Sequence, residues 1–272
     1  MRHEPLDVVS TDGTRLAATL SLPRWARQPL PAVVIVHGSG PLSRANLFGD
    51  VRRFVWEGFA VLAYDKRGVG ASQGVYPRGW GADAESVLRL LAQDAASALD
   101  RTRREPSVDS SRVGFFGASQ AGWIIPLASA RLHPPPRFHV VLSGPAVSTG
   151  VEELYSALTG DGRRPPQLTD SVEIEKRVTS FSGPPGFDPV PVLAGMKVPT
   201  LWLLGERDES VPTFATVRAI DALRGAGDKS HTVIVYPDAD HGLRSVVSGK
   251  SAPLWTDTLA WLQRIGVIEG DR

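Results

Sequence analysis

The stretch Arg112-Val113-Gly114-Phe115-Phe116-Gly117-Ala118-Ser119-Gln120-Ala121-Gly122 constrains the fold more than any other part of the chain. An apolar run rich in β-formers stops at a small residue and presents a serine two positions later. It then continues into Trp123, Ile124, Ile125, Pro126 and Leu127, the pattern of a buried strand turning sharply into a helix. Gly117 and Ala121 stand two positions before and after Ser119, and only small neighbours let a strand and a helix approach that closely. Such a turn strains the serine backbone and lifts its hydroxyl clear of the sheet. It also leaves the Gln120 N–H free at a helix N-terminus, where it can donate to a developing oxyanion. A Gly/Ser turn without function can share this short pattern, so the remainder of the chain has to discriminate.

The remainder supplies a sheet. Residues 7–11 and 15–22 read as two extended segments around Asp12-Gly13, a hairpin signal that predicts an antiparallel edge. Ala32-Val33-Val34-Ile35-Val36 is continuous rather than alternating, as in a strand buried on both faces. It ends in His37-Gly38-Ser39-Gly40-Pro41, a glycine-rich turn at the carboxyl edge of the sheet, where open α/β sheets bind ligands. There the Ser39 N–H is placed to act as a second oxyanion donor opposite that of Gln120, while His37 reads as a structural brace.

Helical spacing over residues 46–57 and 82–103 alternates with buried strands at 59–63, 139–143, 199–204 and 232–236, and helices follow at about 213–224 and 252–264. Strands alternating with helices specify a mostly parallel, doubly wound sheet. Residues 149–197 break the rhythm with closely spaced glycines and prolines and short helical fragments at 152–158 and 171–180. A structureless loop of that length is improbable inside a compact domain, so this segment predicts a small lid folded over the carboxyl edge, with 1–148 and 198–272 forming the core.

Several function classes are excluded or disfavoured by composition. A net charge of +1 gives no bulk attraction for nucleic acid or an anionic membrane surface. No cysteine is present, so disulfides, thiolate metal sites and a cysteine nucleophile are ruled out. The six histidines are scattered without metal-ligand spacing, which predicts neither metal nor cofactor. The glycines around Asp65-Lys66-Arg67-Gly68-Val69-Gly70 match neither phosphate-cradling pattern, and Asp65 and Arg67 read instead as a turn bracing neighbouring loops. The polar N-terminus lacks the apolar core of a signal peptide, and no 18-residue apolar run follows, so a cytoplasmic location is expected.

Three loops, each just past a predicted strand, hold Ser119, Asp208 and His241 in the order serine, acid, histidine. A serine hydroxyl needs an imidazole to accept its proton, and the imidazole needs a carboxylate to fix its tautomer and stabilise its cation. Glu206 and Glu209 compete for the acid position, but Asp208 falls three residues after the strand-ending Gly205 and just before Val211-Pro212, which starts the next helix.

Taken with His37-Gly38-Ser39-Gly40-Pro41, Asp65-Lys66-Arg67-Gly68-Val69-Gly70-Ala71-Ser72, Gly117-Ala118-Ser119-Gln120-Ala121-Gly122 and Asp240-His241-Gly242, this order resembles the α/β-hydrolase superfamily over nearly the whole chain. It is most similar to the bacterial serine carboxylesterase and serine-aminopeptidase-like branch, although Gln120 stands where that branch often has His or Glu. The resemblance implies a cofactor-free serine hydrolase acting on a small ester or acyl substrate. An acyl thioesterase, a small peptidase or amidase, and a non-catalytic ligand-binding member of the fold are the alternatives. Trp80, Trp123, Tyr155 and Leu243, in loops or lid near the catalytic edge, are expected to line an apolar pocket.

Overall fold

The β-branched runs find one another in a single sheet of a computed structural model that describes residues 1–27, 29–79 and 81–269. Among the described residues the strands are β1 (Arg2–Val9), β2 (Arg15–Leu22), β3 (Leu30–Val36), β4 (Ala60–Tyr64), β5 (Val108–Ala118), β6 (His139–Leu142), β7 (Thr200–Gly205) and β8 (His231–Tyr236). Their order across the sheet is β1-β2-β4-β3-β5-β6-β7-β8. β1 and β2 pair antiparallel about the Asp12-Gly13 turn, β2 pairs antiparallel with β4, and every later pairing is parallel. This is the mostly parallel sheet that the alternation predicts, with the antiparallel edge expected from the hairpin signal. β1 begins earlier than its sequence suggests because an edge strand wet on both faces carries little apolar signal; of its eight residues only Val8 is buried.

Both faces of the central strands are covered. Val34, Val36 and Phe115 point into one layer with Leu88 and Leu91 of α2 (Ala84–Arg103) and Ile124 and Ile125 of the elbow helix, Ala121–Ser129. Val33, Ile35 and Phe116 point into the other, against Phe54 of α1 (Phe48–Trp56) and Trp261 of the C-terminal helix, Leu254–Arg264. A continuous apolar run is therefore required on β3, since alternation would expose a polar residue to one of the two layers. In chain order the elbow helix is α3.

Residues 149–197 carry α4 (Thr149–Thr159), α5 (Ser171–Thr179) and α6 (Val190–Gly195). The Asp170 carboxylate accepts from the Val172 N–H at 2.9 Å at the start of α5, and Gly160 ends α4 in the left-handed conformation at φ 82°. A side chain at Gly160 would place its Cβ 2.1 Å from the Arg164 carbonyl, so glycine is required there. The second half of the segment is tied down, with Phe187, Leu193 and Met196 buried in the layer that holds α2 and α3. Two further helices, α7 (Thr213–Gly225) and α8 (Leu254–Arg264), complete the chain, and no described helix is long and apolar enough to cross a membrane.

Candidate active site

β5 stops at Ala118 and α3 starts at Ala121, leaving two residues to reverse the chain. Ser119 makes the turn with φ 57°, a left-handed conformation that costs a residue with a Cβ about 1–3 kcal/mol. Its N–H donates to the Leu142 carbonyl at 2.8 Å and its carbonyl accepts from the Gly122 N–H at 2.8 Å, so the strain is held from both sides. The flanking glycines are obligatory. A Cβ on Gly117 would lie 2.5 Å from that of Ala121 and 2.7 Å from the Val36 carbonyl, and one on Gly122 would lie 2.8 Å from the Pro145 nitrogen.

The candidate acid, Asp208, lies on the turn after β7. Asp208 is sealed from water, and its Oδ1 accepts from the Ser210 and Val211 N–H groups, both at 2.8 Å. Its Oδ2 meets Nδ1 of His241, on the turn after β8, at 2.8 Å. Glu206 and Glu209 are both exposed. With Nδ1–H given to the carboxylate, the imidazole is left with Nε2 as its proton acceptor. Burial works against the charged imidazole, but the hydrogen bond and charge of Asp208, joined by Asp161 and Glu152, raise its pKa above the ordinary 6.5. Gly205 allows the two turns to meet, since a Cβ there would lie 2.4 Å from the Ala239 carbonyl.

Ser119, His241, Ser39, Gln120, Trp123 and Glu152 line one cavity of about 640 Å³ at the carboxyl edge of the sheet. The Ser39 turn lies against the elbow, with a Cβ on Gly38 reaching within 3.4 Å of the Ala118 carbonyl. Neither the Ser39 nor the Gln120 N–H donates to another described residue. His37, below the turn, is fully buried and packs edge-on against Tyr64 at 5.1 Å; burial, then the charge of Lys66, lowers it to about 3, so it stays neutral.

The four aromatic and aliphatic pocket candidates part company. Trp123 lines the cavity and donates its Nε1–H to the Val147 carbonyl at 2.8 Å. Tyr155 instead gives its hydroxyl to the Asp208 carbonyl at 2.6 Å and packs its ring against Phe214. Leu243, at φ 55°, is buried in the layer with Trp261 and is not among the residues that line the cavity. Trp80 lies outside the described residues.

Sequence reasoning placed a helix at 152–158 but gave no task to its residues other than Tyr155, and none to Lys66. From α4, Tyr155 is joined by Ser156, whose hydroxyl donates to the Ser210 carbonyl at 2.9 Å, and by Thr159, whose hydroxyl donates to the Glu209 carbonyl at 2.5 Å. Just beyond the helix, Asp161 accepts from the Ser210 hydroxyl. Glu152, on the cavity side of α4, is pushed up to about 7 by burial. Lys66 is buried among the carbonyls of the Ser39 turn. Its neighbours hold the loop. Asp65 accepts from the Arg44 and Ala71 N–H groups at 2.8 and 2.9 Å, and Arg67 grips Asp94 of α2 and Asp12 of the hairpin turn.

Two family models match the chain. That of the X-Pro dipeptidyl-peptidase (S15) family covers residues 12–167, and that of the BAAT / acyl-CoA thioester hydrolase C-terminal family covers 96–246. Each spans more than half of the chain, and their overlap contains the elbow. The chain belongs to the α/β-hydrolase superfamily.

Among relatives of this chain, the quorum-quenching protein AidA of Acinetobacter baumannii is 34% identical over 121 residues, which is 43% of this chain and 37% of that protein. The chain spans between about a third and three fifths of the length of the first curated relatives it matches. Among solved structures, the α/β-hydrolase GrgF of a Penicillium species superposes with a TM-score of 0.71 at 17% identity, covering 98% of this chain and 100% of that one. An esterase of Pyrococcus furiosus does so with a TM-score of 0.67 at 17% identity, covering 97% and 91%.

Proposed function

We propose that this α/β-hydrolase cleaves carboxylic esters through an acyl-enzyme formed on Ser119. The observation that carries the reading is the strained serine and the Asp208-held His241 opening on one cavity. In the proposed reaction His241 Nε2 takes the Ser119 proton as Oγ attacks the ester carbonyl, and the carbonyl oxygen becomes an oxyanion held by the Ser39 and Gln120 N–H groups. The tetrahedral centre collapses as the imidazolium gives its proton to the departing alkoxide, leaving the acyl-serine and an alcohol. Water then attacks with His241 again as base, releasing the carboxylic acid and restoring Ser119. Asp208 orients the ring and stabilises its cation throughout.

Thioester cleavage is the second reading, favoured by the acyl-CoA thioester hydrolase match over residues 96–246. Its tetrahedral chemistry is the same, and only the leaving group differs. The deciding experiment labels wild type and Ser119→Ala with a fluorophosphonate, reads the adduct by intact mass, and follows turnover of p-nitrophenyl acetate and butyrate beside an acyl-CoA. A single adduct lost in the variant, with turnover falling at least about 10³-fold, is the expected result. A folded wild type that takes no adduct would refute the reading.

A further inference from the structure

Lys66 is a buried cation that the serine, histidine and acid chemistry does not use. It is 2% exposed, and its Nζ donates to the Gly38 carbonyl at 2.6 Å, the Gly40 carbonyl at 3.0 Å and Oε1 of Gln120 at 3.3 Å. All three acceptors belong to the two segments that carry the candidate oxyanion donors. The face of Tyr76 closes over the ammonium at 5.5 Å.

The geometry of a peptide unit gives these contacts a direction. A trans peptide is planar, so its C=O and N–H point opposite ways. The Gly38 carbonyl and the Ser39 N–H are the two ends of one such unit. A cation that draws the Gly38 oxygen beneath the turn therefore swings the Ser39 N–H away from itself. The same charge polarises the unit and strengthens its N–H as a donor. Some outside constraint is needed here, because Ser39 sits between two glycines, one of them at φ 92° with open space around its α-carbon, and such a turn has several peptide orientations of similar energy.

We propose that Lys66 is a positioning residue for the oxyanion hole, its ammonium holding the Gly38 and Gly40 carbonyls and the Gln120 side chain from below so that the Ser39 N–H faces the cavity at a fixed distance from that of Gln120. This rests on the serine-hydrolase reading. The proposal also places a titration near the hole. Burial lowers the Lys66 ammonium to about 7. The groups around it are His37, held neutral; Asp65, whose carboxylate is taken by Arg44 and the Ala71 N–H; Tyr76; and Arg78 beyond Tyr76. As pH rises through that range the group loses its charge and one of its three N–H donors, and its hold on the turn weakens.

The test compares wild type with Lys66→Met and Lys66→Arg in kcat, KM, melting temperature and inhibition by a trifluoromethyl ketone, whose hemiketal oxygen occupies the hole. For Lys66→Met, kcat should fall about 10- to 100-fold with KM within about threefold, and the ketone should weaken by the same factor as kcat. Arginine, charged at every accessible pH, should recover part of kcat and remove the alkaline limb of the wild-type pH profile. A folded Lys66→Met with kcat and ketone affinity within about twofold of wild type overturns the proposal. If the methionine variant does not fold, an alkaline limb identical in wild type and Lys66→Arg overturns it instead, and loss of that limb supports it. Fluorophosphonate labelling separates the two claims: an unlabelled wild type removes the hydrolase reading and Lys66's role together, whereas a labelled wild type with an unaffected Lys66→Met removes the role alone.

Discussion

Replacing Asp94 with alanine should destabilise the protein far more than replacing Asp12, although both carboxylates bind the same guanidinium. Arg67 Nε and Nη2 meet the two Asp94 oxygens at 2.7 and 2.6 Å, a paired fork in which the side chains are 6% and 1% exposed. Asp12 takes Nη1 at 2.9 Å from a side chain 36% exposed. Removing Asp94 leaves the buried guanidinium with only the partly exposed Asp12 as partner, which costs about 3–5 kcal/mol, whereas removing Asp12 breaks a wetter pair worth about 0–1 kcal/mol and leaves the buried fork intact. At about 2–4 °C per kcal/mol for a chain of this size, Asp94→Ala should melt about 6–20 °C lower and Asp12→Ala no more than about 4 °C lower. Thermal and urea unfolding followed by circular dichroism measure both. The double change Arg67→Met with Asp94→Leu should recover most of the loss, because an apolar pair leaves no charge uncompensated. Equal melting temperatures for Asp94→Ala and Asp12→Ala would refute the claim that burial decides. Acid adds a signed check. The Arg67 hydrogen bond pulls Asp12 down to about 2, so its small contribution is complete above the ordinary 3.8 and is lost as pH falls through about 2.

Two further outcomes follow from the Asp208–His241 pair and the Tyr155 bond to it. Because the surroundings of His241 raise its pKa, kcat/KM should climb with pH to a midpoint above 6.5; in Asp208→Asn burial is left to dominate, so the midpoint should move down while kcat falls about 10⁴-fold, and an unmoved midpoint would contradict the assignment of Asp208. Tyr155→Phe deletes a 2.6 Å bond to the Asp208 carbonyl and should cost about 1 kcal/mol with a several-fold loss of kcat; a variant that matches wild type in both melting temperature and turnover would show that α4 does not hold the acid turn.

The elbow was legible because its constraints are local: small residues at Gly117 and Ala121 and a β-rich run before Ser119 are visible within ten residues. The central strands were legible for a related reason, since burial on both faces suppresses alternation in Val33 to Val36. What stayed hidden depends on partners distant in the chain. The Tyr155 hydroxyl bonds a carbonyl 53 residues away, and nothing near it distinguishes that task from lining a pocket. Leu243 follows His241 so closely that proximity in sequence suggests a place in the same pocket, yet with its left-handed backbone it is buried in the core. Lys66 is the deepest omission. Nothing local marks a lysine between Asp65 and Arg67 in a glycine-rich turn as buried, and only the converging carbonyls of Gly38 and Gly40 reveal its place.

The bonds from α4 to the acid turn bear on how this scaffold can be re-engineered. Exchanging cap segments between relatives assumes that the cap is a cassette with a catalytic chassis beneath it. Here Tyr155, Ser156 and Thr159 grip the backbone at Asp208, Ser210 and Glu209, and Asp161 receives the Ser210 hydroxyl. A graft cut at residues 149 and 197 would import a foreign helix and leave the acid turn without its clasp. The unit to transfer is discontinuous, α4 through Asp161 together with residues 208–211, and a chimera that carries both should keep Asp208 in place while the remainder of residues 149–197 is exchanged.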